Sequence, residues 1–293
     1  MTEAASSDHA VELTIEPRLR PVGDSTVRRL LPFHRRRMVG PFIYCDLIGP
    51  EELAPGVGLN VDAHPHIGLS TITYLVVGRI VHRDSTGAVQ TIEAGAVNWM
   101  TAGSGVTHTE RSHPDDIGST AELFGLQTWV ALPDEVEDRP PGFEHCGRED
   151  VPTEQRPGIE LRLAAGTGFG LTAPVTGSSP LALVDVQLTD GTLAIAPDHP
   201  ERAVLALTGG LSLASGRLPA GHLAVLERGA TPDLHGRGRA MILAGEPVGR
   251  RHIWWNFVHS DPDRIEQAKQ QWIDQTFPKV PLDHDPYVPL PDR

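Results

Sequence analysis

HPHIGLSTITYLVVGRIVHRDSTGAVQTIEAGAVNWMTAGSGVTHTE, residues 64–110, is the stretch on which the fold turns. Thr71–Val77 is β-branched and aromatic, and Gly78-Arg79 interrupts it. Ile80–Asp84 follows, then a turn over Ser85–Ala88, then Val89–Glu93. Ala94-Gly95 turns the chain again before Ala96–Met100. Strands this short and evenly spaced, with no helical stretch between them, predict an antiparallel barrel or sandwich from about 59 to 131.

A weaker echo follows. Ala203–Leu213 repeats the strand, glycine turn and strand of 72–82, and Leu218–Leu226 repeats the Ala-Gly turn before an apolar strand at Ile92–Val97. A second copy of one β-fold is therefore expected, joined through the acidic, proline-rich stretch 133–157. The expected organisation is a flexible tail (1–10), an N-terminal barrel (11–132), the connection (133–157), a C-terminal barrel (158–250), and a helix with an extended tail (251–293). Asp261-Pro262-Asp263 reads as an N-cap, a first-turn proline and an acid favoured by the helix dipole. Ile265, Ala268, Trp272 and Ile273 then fall at helical spacing, ending before Phe277-Pro278. The fold class is all-β: two antiparallel β-barrel domains and a short C-terminal helix.

Composition narrows the function. The 293 residues carry 25 Lys and Arg against 38 Asp and Glu, a net charge of −13, which disfavours direct nucleic-acid binding. Arg35-Arg36-Arg37 reads as a solvated turn. Cys45 and Cys146 are the only cysteines, too few for a disulfide scaffold or a cysteine-only metal site. No apolar run approaches the ~18 residues of a membrane helix, and the N-terminus lacks the features of a secretory signal. A cytoplasmic setting without membrane contact is expected.

The chemistry lies in two pairs, His64-Pro65-His66 and His108-Thr109-Glu110. Side chains at i and i+2 of a strand share a face, so each pair presents two ligand-type groups to one side. A lone histidine is usually a surface or satisfied core residue. Two such pairs separated by regular strand-turn units instead predict three imidazoles and one carboxylate converging in a barrel. Imidazole plus carboxylate without thiolate suits Fe(II), Mn, Ni, Cu or Zn, and an octahedral ion with four such ligands keeps two open positions. Gly103-Ser104-Gly105 lacks the Lys and helix of a phosphate loop and reads as a tight turn delivering His108. His82 and His113 belong to no histidine pair and are expected to be exposed; Trp99 and Met100 are expected in the wall, and Cys45 as a small hydrophobe.

These residues resemble a known family. HPHIGLSTITYLVVGRIVHRDS (64–85) with AGAVNWMTAGSGVTHTE (94–110) is similar to the pirins, a branch of the cupin superfamily. RRMVGPFIYCDLIGP (36–50) resembles the family's entry to the site, and LAGEP (243–247) its C-terminal region. The resemblance implies a bicupin of two jelly-roll type barrels, with a metal, usually iron, in the N-terminal one. The matching ligand positions are His64, His66, His108 and Glu110, and the C-terminal barrel, whose His199, His222 and His235 form no i, i+2 pair, is expected to bind none. One departure is Ser70, where pirins usually carry Glu; it puts tuning around the ligands in question. Bacterial pirins imply a quercetin 2,3-dioxygenase-like activity on a small aromatic flavonol and O2, with Glu110 as ligand and base. The alternatives are a metal-binding regulatory module with a protein partner, or a cupin enzyme for another small molecule.

Overall fold

The computed structural model describes residues 10–23, 25–214 and 216–291. Of the tail expected at 1–10, residues 1–9 lie outside the described residues, whereas Ala10 is buried and its carbonyl accepts from the Glu227 N–H at 3.0 Å. Among the described residues, twelve strands occupy the first half: β1 (Val11–Ile15), β2 (Arg18–Val22), β3 (Ser25–Leu31), β4 (Phe42–Leu53), β5 (Asn60–His66) and β6 (Leu69–Val77). They continue as β7 (Arg79–Asp84), β8 (Val89–Glu93), β9 (Val97–Thr101), β10 (Val106–Ser112), β11 (Ala121–Ala131) and β12 (Gly142–Cys146). The strands read from sequence at 71–77, 80–84 and 89–93 fall within β6, β7 and β8, and that at 96–100 overlaps β9, shifted by one residue.

The chain divides into two compact units, one comprising residues up to Arg18, Arg29–Tyr44 and Asp150–Pro247. It holds an eight-stranded sheet and a four-stranded sheet. Its interior is closed by aliphatic side chains such as Leu161, Leu163, Val184, Val204, Leu211 and Ile242. β1 belongs here, pairing antiparallel with Leu223–Leu226. The sequence boundaries grouped β1 with residues 11–132; its alternation, with Glu12 and Thr14 out and Ile15 in, specifies a face but not a partner.

The other unit comprises Leu19–Arg28, Cys45–Glu149 and the residues from Val248 onward. A seven-stranded sheet ordered β12-β9-β6-β11-β4-β3-β2 faces a four-stranded sheet ordered β5-β10-β7-β8. The two-sheet pattern in each unit is a jelly-roll sandwich, and the sheets stay open at their edge strands. Helix α1 (Pro262–Ile273) starts where the sequence places it, with the Asp261 carboxylate accepting from the Asp263 N–H at 2.9 Å. Ile265, Ala268 and Trp272 are buried against Ile67, Phe257 and Phe277, but Ile273 is 61% exposed. At about 100° per residue, position 273 falls roughly 80° round from 265 and off the buried stripe. No helix among the described residues is long and apolar enough to cross a membrane.

Candidate metal centre

The two pairs lie on neighbouring antiparallel strands, His64 and His66 on β5, His108 and Glu110 on β10. His108 stands directly opposite His64 across the antiparallel ladder, with ring centroids 4.2 Å apart. A bulge between His108 and Glu110 shifts the register there. The tight turn before β10 needs its glycines: Gly103 has φ +52°, and a Cβ there would meet the Arg139 carbonyl oxygen at 1.9 Å.

His64, His66 and His108 each offer a nitrogen within 4.8 Å of the other two. Each imidazole uses Nδ1 outside the cluster. The His64 Nδ1–H donates to the Asp62 carbonyl at 2.8 Å, and the His66 Nδ1–H to the Asn256 carbonyl at 3.2 Å. His108 Nδ1 lies 3.3 Å from His82 Nδ1. The Nε2 atoms therefore face inward, and those of His66 and His108 are 3.1 Å apart. Burial pushes all three imidazoles below the usual histidine range, His66 and His108 furthest, and the neighbouring imidazoles reinforce this. For His64 the Asp62 carbonyl and Glu110 oppose the shift without cancelling it. Neutral imidazoles with inward lone pairs are the protonation state a metal requires.

Glu110 is buried on the same strand face but outside that group of three. Its Oε1 accepts the Gln127 Nε2–H at 2.7 Å and the Thr73 hydroxyl at 3.4 Å. Those donors come from the opposite sheet, where pairing aligns two rows. Gln127, Thr73, Asn98 and His145 form one row across β11, β6, β9 and β12. Trp129, Thr71, Met100 and Phe143 form the next. Trp129 meets the His66 ring edge-on at 5.0 Å, and Phe143 stacks on His82 at 4.7 Å. Asn98 Oδ1 accepts from the His145 Nδ1–H at 2.6 Å, while its buried Nδ2 has no partner among the described residues.

Several of these residues escaped the sequence reading. His82, expected at the surface, is 3% exposed, with Nε2 3.0 Å from Asp84 Oδ2. Its signal was present, since His82-x-Asp84 is another i, i+2 pair of polar groups on a strand. Burial raises the Asp84 carboxyl, but hydrogen bonds from His82 and Thr86 overcome this and hold it below the usual range. His113 is half-buried and accepts the Asp115 N–H at the start of a short 3-10 turn. Met100 lines the site, whereas Trp99 lies on the other face of its sheet, beside Thr101. Cys45 is fully buried, which pushes its thiol up and keeps it unreactive. Ser70 also faces away from the imidazoles, because strand alternation opposes it to Thr71 and Thr73. Its Oγ sits 3.0 Å from Thr101 Oγ1 instead.

From outside, the C-terminal segment braces the ligand strands. Asp283 accepts from the Thr109 hydroxyl at 2.8 Å and from Arg111 Nη2 at 2.7 Å. The Val288 N–H donates to the Ala63 carbonyl at 2.9 Å, and the Trp272 indole N–H to the Val288 carbonyl at 3.0 Å.

Comparison with known proteins agrees with this architecture. The Pirin profile matches residues 24–130, and that of the Pirin C-terminal cupin domain matches residues 183–278. A pirin-like protein of Caulobacter vibrioides is 43% identical over 289 residues, covering 96% of this chain and 100% of the relative. A Pseudomonas aeruginosa protein provisionally named quercetin 2,3-dioxygenase is 41% identical over 256 residues, 85% of this chain and 79% of the relative. The crystal structure of quercetin 2,3-dioxygenase from Acinetobacter baumannii matches with a TM-score of 0.88 at 30% identity, covering 96% of this chain and 95% of that one.

Proposed function

The chain belongs to the pirin family, and from that premise we propose that it is a metal-dependent dioxygenase that opens a flavonol such as quercetin with O2 and releases carbon monoxide. His64, His66, His108 and Glu110 are the proposed ligands. Fe(II) is the proposed ion, and Mn, Ni, Cu or Zn suit the same donors. The observation that carries the reading is the inward turn of three buried, neutral imidazoles with every Nδ1 engaged elsewhere. The 3.1 Å between His66 Nε2 and His108 Nε2 fits the ~3 Å expected of adjacent octahedral ligands each ~2.1 Å from one ion.

A divalent ion held there supplies Lewis acidity toward a phenolic hydroxyl and redox access to O2. The rest of the work falls to the chain itself. Gln127 and Thr73 hold Glu110 by Oε1, so Oε2 is the oxygen that would bind the ion or, once loosened from it, receive the proton of the substrate hydroxyl. The Asn98 Nδ2–H, without a partner among the described residues, donates to a second substrate oxygen, and His145 on Oδ1 fixes its orientation. Trp129, Met100 and Phe143 supply apolar walls for a planar aromatic ring and limit water.

The test is oxygen uptake by the Fe(II)-loaded protein with quercetin, with carbon monoxide measured as co-product. Turnover by the wild type and its loss in His108→Ala are expected. A fully metal-loaded wild type that consumes no O2 with quercetin would overturn the proposed substrate.

A further inference from the structure

Of the three clustered imidazoles, His108 is the one whose outer partner is a side chain. His64 and His66 lean on the backbone carbonyls of Asp62 and Asn256. His108 leans on His82, and His82 on Asp84. Resting on the metal-centre reading above, we propose that Asp84 and His82 are positioning residues that set the tautomer and ring plane of His108, so that metal affinity depends on two side chains outside the ligand set.

Each proton position from Asp84 to His108 follows from the one before it. Asp84 Oδ1 is taken by the Thr86 N–H at 2.8 Å, the Thr86 hydroxyl at 2.6 Å and the Ala88 N–H at 3.2 Å. Three donors on one oxygen fix the carboxylate in the turn and aim Oδ2 at His82 Nε2, 3.0 Å away. An ionised carboxylate only accepts, so the proton between them sits on His82 Nε2. With its Nε2 turned to Asp84, His82 presents Nδ1 as the acceptor of the His108 Nδ1–H across 3.3 Å. His108 carries its single proton on Nδ1, and Nε2, 3.1 Å from His66 Nε2, keeps its lone pair. The reverse arrangement, with a proton on His82 Nδ1, would move the His108 proton to Nε2 and remove the ligand. The ring planes are held too: Phe143 stacks on His82 at 22° between planes, and His82 is 3% exposed. Register supplies the reach, because His108 pairs with Asp84 and Glu110 with His82 across β10 and β7, which makes His108 and His82 diagonal neighbours.

Three variants test the relay, with Co(II) as probe, its affinity read by competition with a chromophoric chelator and its geometry by the visible ligand-field spectrum. His82→Leu removes the acceptor and is expected to weaken Co(II) binding by about 10-fold to 100-fold. His82→Asn places Oδ1 near the former Nδ1 and is expected to restore affinity to within a few-fold of the wild type. Asp84→Asn keeps the Oδ1 turn contacts but presents an N–H to His82 Nε2, reversing the tautomer; it is expected to weaken binding as His82→Leu does and to change the spectrum. Wild-type affinity and spectrum in His82→Leu and Asp84→Asn, while the wild type binds Co(II), would overturn the relay and leave the metal centre standing. Failure of His82→Asn to improve on His82→Leu would also overturn it, since a purely spatial role predicts no rescue by an acceptor. No Co(II) binding by the wild type would overturn the metal centre itself. Asp84→Asn keeps the proposal open to refutation even where His82→Leu does not fold.

Discussion

Gln127 reaches from one sheet to the other and gives its Nε2–H to Glu110 Oε1 at 2.7 Å. The carboxylate is thereby held by the scaffold facing the imidazoles rather than by its own strand. A ligand or base tethered at one oxygen keeps the other oriented, and that orientation is what the tether contributes to the chemistry.

Replacing Gln127 with Leu leaves Glu110 Oε1 with only the longer Thr73 contact. With metal content held equal, flavonol turnover is expected to fall by about 10-fold to 100-fold, the usual cost of losing a residue that orients a ligand. Steady-state kinetics check this: the loss should appear in kcat, and a change confined to KM would contradict the tether.

Asp283 ties the C-terminal segment to Thr109 and Arg111. Its removal as Asp283→Ala is expected to cost about 1–2 kcal/mol in urea denaturation, since the pair is part-buried and charge-assisted. Burial raises this carboxyl, but the Arg111 and Thr109 hydrogen bonds bring it below the usual range. A depressed carboxyl contributes fully above its unfolded value, about 3.9, and loses that contribution as pH falls through the lower folded value. The gap between wild type and Asp283→Ala should therefore hold at pH 6 and close in strong acid.

For the metal-free protein the histidines set the opposite concern. Burial holds His64, His66 and His108 below the ordinary value, so below about pH 6.5 the unfolded chain binds protons that the folded one does not. Stability should fall as pH drops from 7.5 to 5.5, and His66→Leu should flatten the slope. Melting temperatures of metal-free protein across that range decide it; a flat wild-type profile would be contrary to neutral, buried imidazoles.

Ser70 contacts Thr101 on the sheet face turned away from the imidazoles. Ser70→Ala is therefore expected to leave metal affinity unchanged and to cost about 1 kcal/mol of stability. Chelator competition beside a denaturation curve separates the two.

How far the sequence reached depended on the range of each signal. The i, i+2 spacing of His64 with His66 and of His108 with Glu110 is local, and strand geometry alone turns it into a shared face. His82-x-Asp84 obeys the same rule, yet its burial comes from Phe143 on another strand, which no local pattern announces. Asn256 and Asp283 act on His66 and Thr109 across 190 and 174 residues, and such pairings are set by the fold. Gln127, Thr73 and Asn98 became a row only once strand order was known. The same limit applies to β1, whose alternation marks a half-buried strand without choosing its sheet. Ser70 stands out in the sequence only as a departure from the family pattern, and it is strand pairing with Thr101 that shows it on the face turned away from the imidazoles.

The central claim is that three inward Nε2 atoms and Glu110 make one site for a divalent ion. Anaerobic calorimetric titration of metal-free protein with Fe(II) tests it most directly. One ion per chain is expected in the wild type, with binding lost in His108→Ala under conditions where that variant remains folded. No saturable binding to the wild type, or an unchanged stoichiometry and affinity in folded His108→Ala, would contradict it.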